Sequence, residues 1–190
     1  MIYEQIAANK RNSILLCALF VVFVAFLGWI FGQVSSMGNG GIALAVVIAL
    51  FWTFGSYYWS DRIVLAMSGA RPLRKEEFPH LFHSVEGLSI AAGLPVPRVY
   101  VIEDSAPNAF ATGRDPGHAV ICVTTGLLHK LDRLELEGVV AHELSHIGNY
   151  DILLGSLVVV MVGIVTLLSD WIMRSYFWGG RRRRDDERGG

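Results

Sequence analysis

The sequence predicts an α+β membrane protein: an N-terminal transmembrane helical hairpin, a small soluble domain carrying a short β-sheet, and a third apolar helix. Three observations point there. No charged residue occurs from Asn12 to Ser60. The 190-residue chain is 53% hydrophobic and 17% charged, whereas soluble domains have about a quarter of their residues charged. Between residues 60 and 151 the pattern changes to short alternating and helical segments, and a new apolar run, Ile152 to Ser169, follows.

The uncharged stretch divides at Ser35-Ser36-Met37-Gly38-Asn39-Gly40-Gly41, a turn-forming cluster. The flanking runs, 13–34 and 42–59, approach or exceed the roughly 20 residues a bilayer requires. Trp29, Trp52, Tyr57, Tyr58 and Trp59 lie mostly toward the run ends, as interfacial aromatics do. No small-residue cleavage site follows the first run, so it reads as a retained anchor. Lys10 and Arg11 precede the hairpin, and Arg62, Arg71, Arg74 and Lys75 follow it, while the connecting loop has no basic residue. The positive-inside rule then places the segment 60–151 in the cytoplasm. A net charge of -1 gives no footing for a nucleic-acid partner. Cys17 and Cys122 lack metal-ligand spacing and read as reduced, buried thiols.

In the soluble segment, Phe78 to Ala92 has helical spacing and stops at Gly93. Pro97 to Ile102, Ala109 to Thr112 and His118 to Thr124 read as strands, the last two separated by the turn Arg114-Asp115-Pro116-Gly117. Asp132 with Glu135 forms a capping box that opens a helix through Leu136, Val140, Leu144 and Ile147. The apolar segment 152–173 follows, then a Gly- and charge-rich stretch, 174–190, expected to be disordered. If the third run crosses the membrane, Arg181 to Arg184 land on the side opposite the positive-inside expectation. The sequence therefore predicts that this helix stops short of crossing or is held across by a later one.

The helix opened by Asp132 carries His142-Glu143-Leu144-Ser145-His146, an H-E-x-x-H pattern. Residues four apart on an α-helix are offset by about 40° around the axis and 6 Å along it, so two imidazoles can converge on one metal ion. Glu143 lies beside that point, placed to take a proton from a metal-activated water and pass it to a leaving amine. The spacing that defines metzincins, Gly and then His three and six residues on, is replaced by Asn149 and Ile152. The motif precedes an apolar run rather than lying inside one, unlike an intramembrane site-two protease. What remains is the class that takes a glutamate from a later helix, giving a zincin-like domain of residues 60–151.

The stretches AGLPVPRVYVIEDSAPNAFATGR (Ala92 to Arg114) and HAVICVTTGLLHKLDRLELEGVVAHELSHIGNYD (His118 to Asp151), with the hairpin before them, make the chain resemble the HtpX family of membrane zinc metalloproteases, relatives of the CAAX prenyl proteases. The resemblance implies a multi-pass, ATP-independent endopeptidase of the inner or plasma membrane, acting in membrane-protein quality control with its active site facing the cytoplasm. Its substrates would be polypeptides, membrane or misfolded proteins among them, and its cofactor zinc. It carries over His142 and His146 as zinc ligands and Glu143 as catalytic base. It also implies a third ligand, a glutamate on a helix beyond a fourth apolar segment. The chain is therefore expected to be an N-terminal fragment without that ligand. Glu187, the last glutamate present, is expected not to replace it between Arg184 and Arg188.

Asn108-Ala109-Phe110-Ala111 is a candidate edge strand that holds substrate by main-chain pairing; the plainer reading is an ordinary strand with Phe110 in the core. Asp151 lies five residues past His146, about 140° around a continuous helix, and is expected to cap the next helix rather than reach the site. His80, His83, His118 and His129 lack paired spacing with carboxylates and read as surface residues, and Ser145 reads as no nucleophile. Two rival functions share these features: a non-catalytic membrane scaffold that retains the protease fold, and a membrane-anchored binding module. Activity of a Glu143→Gln variant separates the first from an enzyme, and zinc content separates the second.

Overall fold

The structure is a computed structural model and describes residues 2–34 and 38–179. Helices α1 (Ile2–Val34) and α2 (Gly40–Met67) form the hairpin. Each is long and apolar enough to cross a membrane. Nothing in Tyr3 to Asn12 breaks a helix, so α1 starts ahead of the apolar run. At its other end, α2 continues past Asp61 and Arg62 until Gly69, whose φ of 63° the chain needs to leave the helix. Glycines let the two helices touch. A Cβ on Gly28 would lie 2.2 Å from the Ala45 Cβ, and one on Gly41 would lie 2.7 Å from the Gly28 carbonyl oxygen. Small residues at such crossings bring backbones into van der Waals contact where the hydrophobic effect offers no drive.

A mixed helix-and-sheet unit follows: β1 (Arg71–Pro72), α3 (Pro79–Ala92), β2 (Arg98–Ile102), β3 (Ala109–Thr112), β4 (Val120–Thr124), α4 (Thr125–Lys130) and α5 (Arg133–Gly148). The sheet order is β1-β2-β4-β3, with β2 and β4 parallel and the two edges antiparallel. Strand β4 is buried at every position, which explains its unbroken apolar reading. On one face Val99, Val101, Ile121 and Val123 meet Leu81 and Val85 of α3 and Leu136, Val140, Leu144 and Ile147 of α5. On the other face Val120 and Cys122 receive Leu65, so the last turns of α2 plug into the sheet. Gly93 caps α3 in the left-handed conformation, and the Asp132–Glu135 capping box is present. Cys122 is buried and Cys17 half-buried, both as free thiols.

Helix α6 (Asp151–Gly179) leaves α5 across an 84° bend. Taken together with α5, its stretch Asp151–Leu167 meets the length and apolarity of a membrane span. It packs beside α1, with Leu153, Leu157 and Met161 closing on Phe20, and Val24 and Ile164 alongside. The helix continues to Gly179, so residues 174–179 are not the irregular segment the charge pattern suggested. No Gly or Pro occurs between Trp171 and Trp178 to stop it. The arginines at 181–184 and Glu187 lie outside the described residues, as do Ser35, Ser36 and Met37 of the hairpin turn.

Candidate metal centre

Helix α5 sets the site. Its buried stripe runs Leu136, Val140, Glu143, Leu144, Ile147, the i, i+4, i+7 spacing of a core-facing side. Glu143 therefore sits on the inward flank at 7% exposure, a rare place for a carboxylate. Among the described residues it has no hydrogen-bond or ion-pair partner. One step around the helix, His142 is exposed and His146 half-buried. Their rings meet edge-on with centroids 4.6 Å apart, and the two Nε2 atoms stand 3.1 Å from each other. Ser145 donates its hydroxyl back to the His142 carbonyl at 2.6 Å, consistent with no role as a nucleophile.

Asp151 departs from expectation. Its Oδ2 lies 2.8 Å from His146 Nδ1. A 140° offset holds only on a continuous helix, but α5 ends at Gly148 and Tyr150 takes a φ of 62°. That left-handed residue swings the chain back, so the first residue of α6 faces the imidazole. The carboxylate accepts the Nδ1 proton of His146, which leaves the Nε2 lone pair free and aimed at His142. The reversal is pinned from α1. Asn9 donates its amide to the Asn149 carbonyl at 2.9 Å and also to Asp151 Oδ1, and the Lys10 ammonium lies 4.1 Å over the Tyr150 ring. A capping role for Asp151 already implies a helix break before it. Nothing in the sequence around Asn9 marks it as a partner of this turn.

Two facing imidazole nitrogens at 3.1 Å suit one shared cation, since Zn–N bonds are about 2.0–2.1 Å. The buried, unpartnered carboxylate next to them fits the same chemistry. Among the described residues no group of three His, Cys, Asp or Glu side chains converges on a point. His80, His83 and His129 stand apart from the pair. His118 does have a carboxylate partner: its Nδ1 lies 2.8 Å from Asp115 Oδ1 across the short helical turn Pro116–His118, an i, i+3 pairing that the turn assignment concealed.

Strand β3 is the sheet edge next to α5 and α6. Ala109 and Ala111 pack against the α5 core, and Phe110 against Cys122 on the opposite face. Asn108 precedes the strand, and its backbone N–H and C=O both pair with Thr124. The far end of β3 is held by Ser156 of α6, whose hydroxyl is 2.7 Å from Thr112 Oγ1 and accepts the Gly113 N–H at 3.3 Å.

Residues 75–185, more than half of the chain, match the model of peptidase family M48. The chain is 47% identical over 185 residues to a protein named protease HtpX homolog from Dictyoglomus thermophilum, covering 97% of this chain and 61% of that one. Proteins of the same name from Thermoanaerobacter pseudethanolicus and Listeria monocytogenes are each 45% identical, with 98% and 94% of this chain covered. The chain spans about 60% of the length of these relatives. A bent H-E-x-x-H helix under a small mixed sheet, matched by that family model and by these relatives, places the chain in peptidase family M48, among the HtpX-like members.

Proposed function

We propose that this chain forms the catalytic helix and substrate strand of a membrane-embedded zinc endopeptidase. The convergence of His142 and His146 Nε2 beside the buried, unpartnered Glu143 carries the reading. His142 and His146 hold the ion. The third ligand is a glutamate that the described residues do not supply. When bound, zinc supplies the Lewis acidity that makes water a nucleophile near neutral pH. Glu143 takes the proton of the attacking water and hands it to the leaving amine. Asp151 fixes the tautomer of His146. An extended substrate adds to the free edge of β3, with the Asn108 to Ala111 segment aligning its scissile bond along α5. The substrates are polypeptides, membrane or misfolded proteins among them.

The protein is read as multi-pass in the cell membrane, its soluble unit facing the cytoplasm. Support for a third helix in the bilayer comes from α6, which descends beside α1 from the Asn9–Asp151 contact to the level of Val24 and Ile164, with Val158, Val159 and Val162 exposed outward. Zinc content is read on the chain in detergent micelles, and casein cleavage on the full-length protein. His142→Ala should lower its zinc content sharply, whereas Glu143→Gln should retain zinc and lose casein cleavage. Full zinc retention in His142→Ala, or cleavage that survives Glu143→Gln, overturns the reading.

A further inference from the structure

A second polar cleft, of about 460 Å³, opens where α2 meets the sheet. Phe54, Tyr58, Trp59 and Arg62 of α2 form one wall. Arg98 at the start of β2, and Arg114 and His118 in the β3–β4 connection, form the other. Its position is unusual for a basic pocket. Tyr57, Tyr58 and Trp59 are exposed one turn before the first charges of α2, the level at which aromatic residues sit between hydrocarbon and water. Lys10 and Arg11 are likewise the last charges of α1 before its apolar run.

The charges do not cancel. Arg98 binds Asp61 at 2.6 Å with one terminal nitrogen, which leaves other N–H donors of its fork available. Arg114 donates to the Tyr58 carbonyl at 3.3 Å, lies 5.4 Å from the Tyr58 ring, and pairs with Asp115 at 3.3 Å. Burial raises the Asp115 pKa, but its hydrogen bond and charge interaction with His118, together with the charge of Arg114, outweigh that and hold it below the usual carboxylate range. Asp115 is thus a committed anion. Arg62 has no ion-pair partner among the described residues. Three guanidinium groups stand against two carboxylates, both engaged. Below them lies an aromatic wall, with the Phe54 and Tyr58 rings tilted at 43° and their centroids 4.5 Å apart, running toward the proposed membrane interior.

We infer that this cleft binds the phosphate headgroup of an anionic glycerophospholipid, with Arg62 and Arg98 on the phosphate and the upper acyl segment lying along Tyr58 and Phe54. Guanidinium groups match phosphate oxygens in geometry and charge. The surplus positive charge disfavours a zwitterionic headgroup, which brings its own cation. The inference rests on α2 being a membrane span, as proposed above, and does not depend on peptidase activity.

Native mass spectrometry of the detergent-solubilised chain with equimolar phosphatidylglycerol and phosphatidylcholine tests it. Phosphatidylglycerol should be retained preferentially. Arg62→Gln should cut that preference about fivefold, from the attraction of one interfacial cation to anionic lipid. Arg62 has no partner to lose, so the variant should fold. Arg98→Gln should act in the same direction, and Arg74→Gln, which removes a charge outside the cleft, should leave the preference unchanged. Equal retention of the two lipids, or equal effects of Arg62→Gln and Arg74→Gln, overturns the site. Displacement of phosphatidylglycerol by millimolar inorganic phosphate overturns the lipid as its source. Release of the chain from membranes by alkaline carbonate overturns the spanning reading and the site with it, so the two failures are distinguishable.

Discussion

Replacing Asp151 with Ala removes the acceptor that fixes His146. The hydrogen bond from Nδ1 measures 2.8 Å, and loss of such a partner behind a metal-binding histidine costs about 10–100-fold in metal affinity. The two side chains are 41% and 39% exposed. Water therefore screens the pair and can replace part of the lost bond, which puts the expectation at the lower end. We expect zinc affinity to fall about tenfold, equivalent to about 1.4 kcal/mol. Asp151→Asn keeps an acceptor but not its charge. A neutral hydrogen bond has roughly half the strength, so the loss should be about threefold. The assay is chelator competition on the solubilised chain, with thermal unfolding monitored in parallel. Asp151→Ala binding zinc as tightly as the parent, while His142→Ala loses it, would refute the reasoning. So would an Asn variant that falls as far as the Ala variant with unchanged thermal stability, because the charge alone would then carry the effect.

Gly28→Leu should destabilise the hairpin by about 1–3 kcal/mol, because its Cβ would meet Ala45 at 2.2 Å, whereas Gly55→Leu meets only Trp59 at 3.8 Å. Equal losses of thermal stability in detergent would show that the helix crossing is not the cause. Burial pushes the Cys122 thiol up to about 11, above the ordinary value of about 8.5. Its stabilising contribution is full below that ordinary value and is lost as pH rises through 11. In a Cys17→Ser background Cys122 should resist maleimide at pH 8 until the protein unfolds, and prompt labelling of the folded form would contradict this. Single cysteines placed between Pro72 and Arg133 should stay unlabelled by impermeant reagents on intact cells, and ready labelling would reverse the orientation.

Most of the fold was readable because its signals are local. The Asp132 capping box, the Gly93 cap, the Ala109–Thr112 strand and the apolar runs each depend on neighbours within a few positions. The H-E-x-x-H pair was readable for the same reason, since four residues on a helix fix its geometry. What escaped the sequence depends on chain reversal and on distance along the chain. The left-handed φ of Tyr150 carries no signal, because neither Gly nor Pro stands there. Without that bend, Asp151 points away from His146. Asn9 meets Asp151 across 142 positions, a separation at which no periodicity speaks. The His118–Asp115 pair escapes for a different reason: Arg114 to Gly117 reads as a turn that separates two strands, whereas the helical turn Pro116–His118 brings Asp115 and His118 together.

These long-range contacts connect the soluble site to the membrane helices. The His142–His146 pair sits at the end of α5, and the residue hydrogen-bonded to His146 is the first residue of α6. Two side chains of α1, Asn9 and Lys10, hold the connecting turn. Ser156, one turn further along α6, holds the end of the proposed substrate strand through Thr112 and Gly113, and its own proton can go to the Ile152 carbonyl at 2.6 Å. The orientation of His146 and the position of β3 thus share one support, the first two turns of α6, and that support packs on α1 through Leu153, Leu157 and Phe20. The brace of the His146 partner is the N-terminal hairpin, so a shift of α6 along α1 would move Asp151 and the end of β3 together.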